Sequence, residues 1–107
     1  MVVVNSKEEL KELIGQRIGQ YGPKCDLNDI DVSKVTDMSH LFYSSIFDGD
    51  ISSWDVSNAV CMSYMFNNSP FKGDLSKWKV GSVVDMRDMF EDSPLEFREP
   101  SWCRDDD

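Results

Sequence analysis

Residues 50–66, DISSWDVSNAVCMSYMF, decide how this chain is read, because the same phrase is written three times. Residues 26–42 read DLNDIDVSKVTDMSHLF and residues 74–90 read DLSKWKVGSVVDMRDMF. The step is 24 residues and carries no gap: Val32, Val56 and Val80; Met38, Met62 and Met86; Phe42, Phe66 and Phe90. Trp54, Trp78 and Trp102 keep the same step. Self-similarity at a fixed period of this length marks stacked supersecondary units, none of which can bury its apolar face alone.

The columns of the repeat separate into apolar and polar. Leu27/Ile51/Leu75, Ile30/Trp54/Trp78, Val32/Val56/Val80, Val35/Ala59/Val83, Met38/Met62/Met86, Leu41/Met65/Met89, Phe42/Phe66/Phe90 and Phe47/Phe71/Leu95 would stack as one continuous core. Ile30-Asp31-Val32 alternates, which predicts a very short strand in each coil, paired in parallel with its neighbours. Val35, Met38, Leu41 and Phe42 step by three, three and one, which predicts one or two helical turns. Ser44-Ser45, Asn67-Asn68-Ser69-Pro70 and Asp92-Ser93-Pro94 are turn chemistry. The Asp26/Asp50/Asp74 column reads as acceptors for turn amides, since a role repeated in every coil suits architecture better than one active site. Gly49 and Gly73 read as positions that need a positive φ.

The two ends differ from the repeats. Val2, Val3 and Val4 are a β-prone run. Ser6 followed by Glu9 is a capping box, Glu8, Glu9 and Glu12 suit the first turns of a helix, and Leu10, Leu13, Ile14 and Ile18 form an apolar stripe. An amphipathic helix is expected over 6–20, stopped by Gly22-Pro23 and lying over the open end of the first coil. At the other end only Trp102 keeps register, and it is expected to close the core on Trp78. Arg104 to Asp107 reads as a charged tail. The organisation expected is one domain: a capping helix in 1–25, three coils in 26–97, and a C-terminal cap and tail in 98–107.

The phrases DISSWDVSNAVCMSYMFNNSPF (50–71) and DLSKWKVGSVVDMRDMFEDSPL (74–95) resemble the BspA-type repeat of bacterial surface proteins, found also in mycoplasma lipoproteins and grouped with the leucine-rich repeats. The resemblance covers residues 26–97. Ile30 and Leu41 depart from it in the first coil, and Lys79 and Gly81 replace Asp and Ser in the third. It implies an α/β fold: a short leucine-rich-repeat-like solenoid of three coils, each a short parallel strand plus a short helix. It also implies a role in binding other macromolecules, and no catalysis.

The balance of charge is acidic, 20 Asp plus Glu against 11 Lys plus Arg, a formal net charge of −9 over 107 residues. Direct binding to a phosphate backbone needs Lys/Arg clusters, and none is present. Cys25, Cys61 and Cys103 are an odd number at scattered positions of the repeat and lack the usual zinc spacing, so reduced thiols are expected rather than a disulfide framework. No stretch approaches membrane-spanning length and the start lacks the features of a signal peptide, so a cytoplasmic location is expected, or a surface location if the chain belongs to a longer protein.

The search for chemistry ends on the surface. His40 shares a column with Tyr64 and Asp88, which suits exposure rather than catalysis. Asp29/Asp31 and Asp48/Asp50 lack the framework of a calcium loop, and the methionine columns read as core. No catalytic residue, metal or cofactor is expected. The expected binding residues are Asp29, Asp31 and Asp55 on the strand side, and Tyr64, Asp85, Asp88, Glu91 and Asp92 on the helix side. The leading expectation is a monomeric, non-enzymatic module that binds a protein with a basic surface. One version is an acidic inhibitor occupying a nucleic-acid-binding site, as phage anti-defence (anti-CRISPR-type) proteins do. The alternative is a module of a surface adhesin that contacts host or matrix molecules. A metal-dependent enzyme using the Asp columns is the third reading.

Overall fold

The structure, a computed structural model, describes residues 1–103 of the chain; the expected tail at 104–107 lies outside the described residues. It begins with strand β1 (Val2–Val3), then helix α1 (Lys7–Tyr21), then strand β2 (Ile30–Asp31). Strand β1 pairs in parallel with β2, Val2 opposite Ile30 and Val3 opposite Asp31, so the N-terminus covers the edge that β2 would otherwise expose.

Helix α1 starts where its sequence says it should. Ser6 is extended and its hydroxyl accepts from the Glu9 amide at 3.2 Å. Glu9 reaches back one residue further than the usual capping box, to the Asn5 amide at 2.9 Å. At the other end Gly22 takes φ 91° and donates to the Ile18 carbonyl at 2.8 Å, a conformation that costs glycine little. Leu10 and Ile14 are buried in the core, with Leu13 and Ile18 packed against it. Two ion pairs fasten the helix across the first repeat: Lys7 to Asp37 and Arg17 to Asp29.

The repeats do not form the expected α/β leucine-rich-repeat-like solenoid of three strand-plus-helix coils. Among the described residues the only helix is α1 and the only sheet is β1 with β2, two residues each. The chain is a small compact globule, 36 × 25 × 21 Å, in which the repeats are built from turns and isolated parallel bridges at Asp26–Asp50, Asp37–Cys61 and Cys61–Asp85. The reason lies in the backbone. His40, Ser44, Tyr64, Asn68, Asp88 and Asp92 all have φ between 51° and 60°, at two equivalent positions of each repeat. A left-handed residue every fourth position ends any α-helix before it completes a second turn.

The hydrogen bonds show what replaces the helix. The amides of Met38, His40, Phe42 and Ser44 donate to the carbonyls of Cys61, Ser63, Met65 and Asn67, at 2.9–3.0 Å. The amides of Met62, Tyr64, Phe66 and Asn68 repeat this on Asp85, Arg87, Met89 and Glu91, at 2.8–3.0 Å. Between them run turn bonds such as Tyr43 to the His40 carbonyl and Asn67 to that of Tyr64. On the other side, the expected strands at Trp54 and Trp78 are absent. There side chains bridge the repeats: Asn58 donates to the Ser33 carbonyl at 2.8 Å, and Asn28 accepts from the Ser53 amide at 2.8 Å.

The 24-residue step sets the registry of the core. Every apolar column named from the sequence is buried. Phe42, Phe66 and Phe90 stack at 5.4 and 5.6 Å between ring centroids, Phe47 and Phe71 at 5.9 Å, and Trp54 and Trp78 at 6.4 Å. Trp102 follows Trp78 at 6.1 Å. Each indole N–H donates to a carbonyl of the preceding repeat: Trp54 to Leu27, Trp78 to Ile51 and Trp102 to Leu75, at 2.8–3.0 Å. The rings thereby bury their area without leaving a polar atom unpaired.

Candidate functional site

The surface columns are fixed by the chemistry that turns the chain. Asp26, Asp50 and Asp74 accept from the amides two residues on, Asn28, Ser52 and Ser76, at 2.8–3.0 Å. These are the Asx-turns expected from the sequence. A second set lies outside that expectation. Asp31 and Asp55 accept from the amides of Ser33 and Ser57, and Asp37 and Asp85 from those of Ser39 and Arg87, at 2.9–3.0 Å. The Asp37/Asp85 pair was hidden because Cys61 interrupts its column; there the thiol contacts Ser63 Oγ at 3.3 Å.

Gly49 and Gly73 are explained differently from the expectation. Neither takes a positive φ. A Cβ on Gly49 would overlap the Cys25 carbonyl oxygen and come within 2.7 Å of the Phe47 ring; on Gly73 it would meet the Phe71 ring at 2.7 Å. These glycines are present because neighbouring chain and rings pass too close for a side chain.

The expected binding residues fall into two groups. In the first, Asp29 is engaged by Arg17 in a two-pronged ion pair at 2.8 and 2.9 Å. That guanidinium holds the Asp29 carboxyl below its ordinary range. Asp31 and Asp55 are held down by hydrogen bonds from Ser33 and Ser57. Asp55 lies on a cleft of about 370 Å³ with Trp54, Val56, Ser57, Lys77 and Lys79. A larger cleft, about 580 Å³, is bounded by Arg17, Tyr21, Cys25, Asp26, Asn28 and Asp29. Its one thiol, Cys25, is buried, and that burial pushes it above its ordinary value.

The second group is a ridge made by the left-handed turns. His40 stacks on Tyr64 at 4.9 Å, and Tyr43 meets the His40 ring edge-on at 5.5 Å. Asp88 follows Tyr64 in the next repeat; its negative charge, and then its hydrogen bond, raise the Tyr64 hydroxyl above its ordinary value. Beside them Asn67 donates to Glu91 Oε1 and to the Asp88 carbonyl, each at 3.2 Å, and Asn68 donates to Ser44 Oγ at 3.0 Å. Glu91 and Asp92 are exposed, while Asp85 and Asp88 are half-buried. The ridge is thus aromatic in the first two repeats and carboxylate-rich in the third.

Among the described residues, no group of three or more His, Cys, Asp or Glu is placed to hold a metal ion, and no helix is long and apolar enough to cross a membrane. No curated protein and no solved structure matches the chain significantly. A family model does match, over residues 13–101, taking in most of helix α1, all three repeats and the turn that leads into Trp102. The chain therefore belongs to the family described as "Mycoplasma protein of unknown function, DUF285".

Proposed function

We propose that this chain is a non-enzymatic protein-binding module whose acidic ridge docks on a basic patch of a partner protein. The supporting observation is the ridge itself. Positions 40/64/88, 43/67/91 and 44/68/92 are tied repeat to repeat by backbone bonds at 2.9–3.0 Å, so the backbone that presents these side chains has little freedom to lose on binding. Tyrosine and histidine supply contact area, and Asp88, Glu91 and Asp92 supply the charge that steers a basic partner. The formal charge of −9 works against nucleic acid as the direct ligand and favours a protein site that itself attracts anions. The test is affinity capture with the native chain and with D88N/E91Q/D92N, eluting with salt. A partner retained by the native chain, released by moderate salt and lost with the variant supports the reading. A partner held equally by both, or indifferent to salt, overturns it.

A second reading, a BspA-like module displayed on the cell surface, is favoured by the Mycoplasma description of the family. Protease treatment of intact cells that express the whole protein separates the two readings. Cleavage without lysis supports display; full protection until lysis contradicts it.

A further inference from the structure

The three repeats turn at the same place, but the third lacks the group that satisfies the turn. Val35, Ala59 and Val83 each donate to the carbonyl three residues before, Val32, Val56 and Val80, at 3.0 Å, so the backbone is alike in all three. In the first repeat the Asp31 carboxylate takes the Ser33 amide at 3.0 Å. In the second, Asp55 takes the Ser57 amide at 3.0 Å and its hydroxyl at 2.6 Å. In the third, the carboxylate position is Lys79 and the amide belongs to Gly81. Among the described residues no hydrogen bond reaches the Gly81 N–H. Gly81 is exposed and has nothing within 4 Å of where a Cβ would stand.

Two cations precede Gly81 in the chain, Lys79 within the turn itself and Lys77 two residues before Lys79. Lys77 and Lys79 both line the cleft of about 370 Å³ beside Asp55 and Ser57. Among the described residues neither forms an ion pair. Asp55 shares the cleft: its Oδ1 accepts two hydrogen bonds from Ser57, and these, with the nearby Lys79 charge, hold its carboxyl below the ordinary value. The result is an N–H aimed, by analogy with its two counterparts, at the place of a missing carboxylate, in a turn whose own side chain is the cation Lys79.

We propose that the turn at Lys79–Gly81 is a docking subsite for a carboxylate presented by an acidic segment of a partner protein, which takes the place that Asp31 and Asp55 fill from within the chain. The site lies on different columns from the acidic ridge and stands whether or not the ridge binds a basic partner. An aspartate side chain matches it best, since that is the group the same turn accepts in the other two repeats.

The test is an NMR titration of the labelled chain with blocked aspartate (N-acetyl-aspartyl-N-methylamide), with sodium chloride at equal ionic strength and inorganic phosphate as separate arms. The expected result is a saturable downfield shift of the Gly81 amide proton with blocked aspartate and none with chloride. In K79D, which restores the repeat's own sequence, that proton should already be shifted downfield and should not respond. An unmoved Gly81 amide, an equal response to chloride, an undiminished response in K79D, or a response to phosphate alone would each overturn the proposal.

Discussion

At the scale of single residues, two glycines separate two roles of the same amino acid. Gly49→Ala forces a methyl group into the Cys25 carbonyl and the Phe47 ring, neither of which can move without disturbing the core. It should cost about 3 kcal/mol, read from urea unfolding. Gly81→Ala, with open space around it, should stay within about 0.5 kcal/mol of the native chain. The left-handed positions make a second contrast. Asn68, at φ 55°, tolerates that backbone because its amide and short chain suit it. Asn68→Val should lose on the order of 1–2 kcal/mol, while Asn68→Gly should give back most of that loss despite forfeiting the bond to Ser44.

At the scale of elements, helix α1 depends on its cap and on the ion pair to Asp29. Ser6→Ala should lower stability by about 1 kcal/mol, seen as a lower midpoint with unchanged urea slope. The pH dependence follows from the carboxylates. Asp29 is held down by Arg17, Asp31, Asp55 and Asp74 by Ser33, Ser57 and Ser76, and Asp50 by Asn28 and Ser52, each below an ordinary value of 3.8. Carboxylates that are more acidic when folded stabilise the fold fully above the unfolded value. That contribution is withdrawn as pH falls through the lower folded values. Melting temperature should therefore be flat near neutrality and fall below about pH 4. Arg17→Gln should melt lower than the native chain at neutral pH and converge with it in acid.

The same elements show what the sequence could and could not reveal. Helix α1 was legible because Ser6, Glu9, the Leu10/Ile14 stripe and Gly22 each act locally. The buried columns were legible because burial repeats at a fixed step and needs no knowledge of the backbone between. The strand-plus-helix coil was misread because spacing of three and four residues suits consecutive turns as well as a helix. The difference is made by left-handed backbone at positions 40/64/88 and 44/68/92, where His, Asn and Asp favour that conformation but Tyr64 and Ser44 in the same columns mask the signal. Asp31 and Asp55 read as free surface charge in the sequence because the alternating pattern around them signals a strand, whereas each caps a turn amide two residues on.

At the scale of the whole molecule, the core is a set of stacked rings closed at one end by Trp102. That residue is half-buried and anchored by its bond to the Leu75 carbonyl. Trp102→Ala should cost about 3 kcal/mol, at the low end for a tryptophan because its outer face is already wet. Trp78→Ala, buried between two indoles, should cost more, toward 5 kcal/mol, and compete with folding itself. The two can be ranked by chemical denaturation monitored by far-ultraviolet dichroism.

The indole column also makes the protein its own optical gauge. Trp54, Trp78 and Trp102 lie within 16° of parallel at consecutive spacings of 6.4 and 6.1 Å, close enough for their electronic transitions to mix. The ultraviolet dichroism of the native chain should carry a split band of coupled chromophores, beyond what three isolated indoles give. Replacing the middle ring, Trp78→Phe, would leave the outer pair two steps apart and collapse that splitting, while Trp102→Phe would only halve the number of coupled neighbours.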